Sequence, residues 1–175
     1  MTTNVTTQDL KLIIESYKAW RFLNATLSHF ASRTVNFPEA ISESLCCYSL
    51  GYHWHNKFNT SLSGDGTGPN GELIEIKATS NFNTDLTSFS PDTKFDILIF
   101  ARLDINTNQL YIYNMGMNFT QFQTIQVNRT QTILDQQLQG KRPRLSLVSK
   151  INERHLQPVI VLDLNQLALK FGIQL

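Results

Sequence analysis

The run Phe95–Leu103, FDILIFARL, limits the fold more than any other stretch of the chain. A strand with one solvated face alternates apolar and polar side chains, but this run is apolar at almost every position. That pattern suits a central strand of a sheet covered on both faces. The polar DINTNQ that follows reads as a turn, and LYIYNM from Leu110 as a neighbouring strand. Upstream, LIEIKA from Leu73 reads as a third strand.

Helices are expected on both sides of this block. From Asp9 to about Ala31, Leu10, Ile13, Tyr17, Trp20, Leu27 and Phe30 recur at helical spacing, with Asp9 as the N-cap. A second helix opens at Pro38 and stops at Gly51. Thr130–Leu138 reads as a short helix stopped by Gly140, and Arg144–Ile151 as a strand. Near the end, Asp163 caps a last short helix that Gly172 terminates. The expected fold class is α/β (α+β), a central mixed sheet flanked by helices, in a single domain over residues 1–175. Residues 1–8 are expected to form a flexible tail.

Composition narrows the function classes. Apolar residues at 41% suit a folded core, while a formal net charge of +1 neither requires nor excludes nucleic acid. The two cysteines, Cys46 and Cys47, are adjacent and cannot build a disulfide framework or a zinc knuckle. No apolar run approaches the roughly 20 residues that span a bilayer, and the first nine residues do not read as a signal peptide. A cytoplasmic protein without a membrane partner is the expectation.

The segment with chemistry in it is Gly64–Lys77, GDGTGPNGELIEIK. Strand alternation puts Leu73, Glu75 and Lys77 on one face and Ile74, Ile76 and Ala78 on the other. The glycine-rich bend lets Asp65 double back towards Glu75. Asp65 and Glu75 can then share a hard cation, with the Ile76 carbonyl as a further oxygen ligand. Magnesium suits such a site because it takes few protein oxygens and keeps waters and phosphate oxygens. Lys77, beside the same phosphate, would orient the attacking water, act as its base, or stabilise developing charge. Without the bend, Glu75 and Lys77 would be no more than a charge pair on a solvated face.

GDG…ELIEIKAT resembles the divergent PD-(D/E)XK nuclease signature, with Asp65 in the first position and Glu75-Ile76-Lys77 as its second element. Gly64 stands where the signature has proline. The short chain and the polar loop before FDILIF resemble small type II restriction endonucleases, nearest the PvuII-like branch. The resemblance covers roughly Glu39 to Leu103. It implies Mg2+-dependent hydrolysis of both strands of double-stranded DNA at a short palindromic site by a homodimer, leaving 5'-phosphates. A cognate DNA methyltransferase would accompany it without a stable complex. An acid on the preceding helix can join such a site: Glu43 fits best, and Glu39 is the alternative. A repair nuclease with the same centre and a non-catalytic DNA-binding module are the competing functions, and the presence of all three motif residues speaks against the second.

In the PvuII-like arrangement the loop after the catalytic strand lies beside a groove, which makes Asn81, Asn83 and Ser88 candidate DNA contacts. Lys141, Arg142 and Arg144, with Lys150 and Arg154 close behind, form a basic stretch suited to phosphates. Lys94 is a further candidate for the backbone. His53 and His55 lack a third well-spaced zinc ligand and read as structural or phosphate-contacting.

Overall fold

The strand expected at the centre is there. This computed structural model describes residues 3–56 and 63–175. Two helices open the chain, α1 (Thr7–Leu27) and α2 (Glu39–Leu50). Strands β1 (His53–Trp54), β2 (Gly66–Thr67), β3 (Leu73–Thr79), β4 (Thr87–Ser88), β5 (Ile97–Asp104) and β6 (Gln109–Asn114) follow. Helices α3 (Phe119–Gln123) and α4 (Ile133–Leu138) precede β7 (Arg144–Leu145), α5 (Leu147–Arg154), β8 (Ile160–Asp163) and α6 (Leu164–Leu169). The main sheet runs β1-β2-β3-β5-β6-β8, and β4 pairs with β7 apart from it. β3 and β5 are parallel, while the other pairs of the main sheet are antiparallel, so the sheet is mixed.

β5 is apolar throughout because two different cores cover it. Ile99, Ala101 and Leu103 pack with Leu10, Ile14 and Tyr17 of α1, Leu45 of α2 and Leu167 of α6. Leu98 and Phe100 point the other way, into Phe89, Phe122, Ile133 and Ile151. Wholly buried side chains such as Phe100, Ile99 and Leu103 each contribute about 1.5–3 kcal/mol. β3 sorts its residues by the same alternation: Ile74 and Ile76 enter the first core, which leaves Glu75 and Lys77 on the side of Phe89 and Phe100.

Several boundaries differ from expectation. α1 is capped by Thr6, and Asp9 is the reciprocal partner three residues on, its carboxylate accepting from the Thr6 N–H at 2.8 Å. The helix ends at Leu27, and Phe30 is 76% exposed because the chain has already turned away. In the expected tail, residues 1–2 lie outside the described residues. Val5 is buried and Asn4 donates to the Trp54 carbonyl, so the described part is anchored. The expected strand Arg144–Ile151 is strand only to Leu145; from Leu147 it is the helix α5. Ser146 caps that helix locally, and a side chain sixty-one residues upstream in sequence, Asp85, completes the cap. α2 keeps its expected ends: Pro38 is the N-cap, and Gly51 takes the left-handed conformation at φ 70°.

Candidate active site

The Gly64–Lys77 segment folds back on itself as an antiparallel ladder. Gly66 pairs with Ile74 and Thr67 with Leu73, so one step along the register Asp65 stands opposite Glu75. The Asp65 N–H donates to the Ile74 carbonyl at 2.9 Å, and its Oδ2 accepts the Ile76 N–H at 2.7 Å. Gly64 explains the missing proline. Its φ is +72°, and a Cβ there would sit 2.9 Å from the Ile74 carbonyl oxygen. Proline is confined to φ near −65°, so the bend that delivers Asp65 demands glycine. His55 braces the same bend. Its Nδ1 lies 3.1 Å from the Gly64 carbonyl and its Nε2 2.7 Å from the Thr67 hydroxyl. A carbonyl only accepts, so in the neutral ring Nδ1 carries the proton and the Thr67 hydroxyl donates to Nε2.

Glu75 is buried, and its Oε1 accepts from Lys77 Nζ at 2.6 Å. The ammonium also lies 5.7 Å from the centroid of the Phe89 ring. Burial pushes the Asp65 carboxyl upward against the Ile76 N–H and the charge of Lys77, which pull it down. Glu75 is likewise raised by burial, against the opposing charge of Lys77. For Lys77, burial alone would lower the pKa, but Glu75, Asp65 and Glu39 outweigh it and the net shift is upward. The cluster therefore holds more anionic than cationic groups in a part-dry setting, a demand that an added cation would meet.

The two helix acids occupy different places. Glu39 lines the cleft above Lys77 and acts electrostatically on Asp65, Glu75 and Lys77. Glu43 stands one turn behind, with Oε2 3.3 Å from the Trp54 indole nitrogen. Burial, reinforced by the charge of Asp65, raises the Glu43 carboxyl to about 7. Cys46 and Cys47 are fully buried with thiols pushed up by burial, so they pack rather than react.

Among the described residues, no group of three or more His, Cys, Asp or Glu side chains gathers as a metal site. The donor set is the smaller one read from the strand: two carboxylates and a main-chain oxygen. The Ile74 carbonyl is taken by Asp65 N–H on the β2 side. Backbone groups two residues apart along a strand point the same way, so the Ile76 carbonyl opens towards the same space, just past the end of β2. Such a set fits a hard cation that keeps most of its waters. His53 and His55 add nothing to it: their rings are 6.4 Å apart, and His53 lies against Asn4.

A polar cleft of about 430 Å³ opens over Lys77 and Ile76. Glu39 and Ser42 of α2 form one wall, and Asn81, Ser88 and Arg142 the other. Arg144 pairs with Ser88 across β4 and β7, at the rim, with Lys141 exposed beside Arg142. Asn83 is exposed at the loop tip and does not line the cleft. Lys94 lies elsewhere, with Leu73 and Asp96 at the opposite end of β3. Lys150 is paired with Glu153, and Arg154 donates to the Met115 and Gly116 carbonyls, so both are engaged away from the cleft.

Two residues that hold the cleft wall escaped sequence reasoning. Asp85 accepts from the Thr87 and Ser146 hydroxyls at 2.6 and 2.7 Å and from the Leu147 and Val148 N–H groups, both at 2.9 Å. Arg102, buried among apolar neighbours, donates to the Phe82 carbonyl and stacks on the Phe82 ring at 4.1 Å. A lone arginine in FDILIFARL was a visible signal; nothing in the local sequence marks Asp85 as a cap for a helix so far away.

The family model described as "Bsp6I restriction endonuclease" matches residues 5–154. The type II restriction enzyme Bsp6I of Bacillus sp. (strain RFL6) is 44% identical over 153 residues, 86% of this chain and 86% of the relative. No solved structure matches.

Proposed function

The chain belongs to the Bsp6I restriction endonuclease family, and from that premise we propose that Asp65, Glu75 and Lys77 are the centre at which it cuts double-stranded DNA. It is a type II restriction endonuclease, and its α/β fold with a central mixed sheet agrees with that family. The observation that carries the assignment is the Gly66–Ile74 register, which sets Asp65 against Glu75 with Lys77 at 2.6 Å.

Asp65, Glu75 and the Ile76 carbonyl would hold Mg2+. When bound, the ion would polarise the scissile phosphate and favour attack by water. The chain's own groups do the rest. Lys77 is kept protonated by Glu75, and a general base needs a lowered pKa. It therefore donates to the phosphate and stabilises charge gained in the transition state. Glu39 and Glu43 both support the centre from α2. Glu39 faces the cleft, while Glu43, near neutrality, is a proton-holding group behind Asp65. Asn81 and Ser88 face bases, with Asn83 beyond them at the loop tip. Arg142, Arg144 and Lys141 hold the backbone at the rim, and Lys94 meets phosphate only where DNA extends to the far end of β3.

The palindromic target follows from two-fold symmetry, with one centre for each strand supplied by a homodimer. The exposed Phe22 (75%) and Phe30 (76%) offer apolar surface for that contact. Cuts leaving 5'-phosphates, a cognate DNA methyltransferase that forms no stable complex with it, a single domain over residues 1–175 and a bacterial cytoplasmic setting complete the proposal. No helix is long and apolar enough to cross a membrane among the described residues. The test is to incubate the protein with Mg2+ and a long DNA of known sequence. Discrete fragments with a common end sequence support the proposal; no Mg2+-dependent cleavage on varied DNA sinks it.

A further inference from the structure

A second cavity of about 650 Å³ adjoins the catalytic cleft and shares Asn36, Ser80 and Asn81 with it. Its outer wall is the α1–α2 connection, which includes Arg33, Thr34 and Val35. That connection is held stiffly. Asn24 grips Val35 by two hydrogen bonds, its Nδ2 donating to the Val35 carbonyl at 2.9 Å and its Oδ1 accepting the Val35 N–H at 2.8 Å. The Trp20 indole donates to the carbonyls of Val35 and Asn36, each at 3.0 Å. Phe37, the next residue, is buried with its ring 5.2 Å from that of Trp20.

The backbone of Asn36 is thus fixed on both sides, yet its own side chain is exposed and, among the described residues, makes no hydrogen bond. Arg33 is exposed on the same connection and forms no ion pair among the described residues. A carboxamide offers a donor and an acceptor together, which is what reading a base edge requires. With its backbone already fixed, Asn36 has only side-chain freedom left to lose on contact. The arginine, by contrast, suits a phosphate.

We propose that the Arg33–Asn36 connection is a second DNA-reading element, in which Asn36 contacts a base edge and Arg33 the adjoining backbone. The proposal rests on the assignment of the neighbouring cleft as the cleavage site. It places readout on both sides of the catalytic lysine, from Asn36 on one wall and from Asn81 and Ser88 on the other.

The test begins with the wild-type protein and Mg2+ on long DNA, whose fragment ends give the cleavage site. Cleavage rates are then compared on that site and on sites with one base changed, for wild type and Asn36→Ala. One lost base contact should lower the preference for the true site by about 5- to 150-fold, with unfolding unchanged because the side chain is exposed and unbonded. Arg33→Ala should weaken binding to true and altered sites alike and reduce the salt dependence of affinity by about one counterion. A folded Asn36→Ala protein with wild-type discrimination overturns the proposal. So does loss of cleavage on every site with DNA binding intact, because it would put Asn36 in the chemistry. If wild type itself cuts nothing, it is the cleavage-site assignment that fails, which is a different outcome from either.

Discussion

Replacing Glu43 by Gln should make the protein more stable at pH 8 in the absence of metal, and the gain should vanish towards pH 4.5. Burial and the neighbouring Asp65 charge lift the Glu43 carboxyl from its ordinary 4.5 to about 7. At about 1.36 kcal/mol per pKa unit, that rise penalises the ionised form in the folded state by up to about 3 kcal/mol. The sign follows from proton binding. Below pH 4.5 both folded and unfolded chains hold the proton, and Glu43 has no effect on the difference between them. Between 4.5 and about 7 the folded chain keeps a proton that the unfolded chain has released, so stability falls as pH rises. Above about 7 the whole penalty is present. Gln keeps an oxygen for the Trp54 indole and carries no charge, so it escapes the penalty. Asp65 and Glu75 are raised in the same direction, but they are common to both proteins and largely cancel in the comparison. Urea unfolding of wild type and Glu43→Gln at pH 5 and pH 8, in EDTA, measures the difference. The variant should gain about 1–3 kcal/mol on wild type between the two pH values while its DNA cleavage falls, a trade of activity for stability. Parallel pH profiles for the two proteins would refute the reasoning.

Asp85→Ala leaves the Leu147 and Val148 N–H groups without their acceptor and should destabilise the protein by about 2–3 kcal/mol in urea unfolding; a change under about 0.5 kcal/mol would contradict the anchoring role. Gly64→Pro, which would write the familiar proline–aspartate pair into the chain, should abolish cleavage because the φ of +72° is closed to proline; an active variant would show that the bend is not required. Arg142→Ala combined with Arg144→Ala should reduce the salt slope of DNA binding by about two counterions, measured by titration at several ionic strengths; an unchanged slope would take both residues off the backbone.

What the sequence displayed was whatever depends on neighbours along the chain. The apolar run at β5 announced a doubly covered strand, the alternation of LIEIKA put Glu75 beside Lys77, and Pro38 and Gly51 marked the ends of α2. The ten-residue step from Asp65 to Glu75 was legible because a tight ladder can be counted from a glycine-rich bend. Contacts made at long range were not legible. LSLVSK begins with strand-like alternation, and beside the local Ser146 cap it is the Asp85 carboxylate, distant in sequence, that holds the Leu147 and Val148 N–H groups where the helix starts. Likewise, α1 keeps its helical spacing to Phe30 on paper, but Asn24 and Trp20 are committed to Val35, and the chain turns back to meet them. The nearness of Asn81, Ser88 and Arg142 to one cleft depends on the pairing of β4 with β7, two strands of two residues each that carry almost no pattern.

The most direct measurement is Mg2+-dependent cleavage of site-containing DNA by Asp65→Asn beside wild type, with unfolding and metal-free DNA binding recorded for both. Asparagine keeps an oxygen for the Ile76 N–H and removes the charge that would help hold the ion. The expected result is no cleavage by a variant that folds and binds DNA as wild type does. Cleavage at the wild-type rate would contradict the assignment of Asp65, with Glu75 and Lys77, as the catalytic centre.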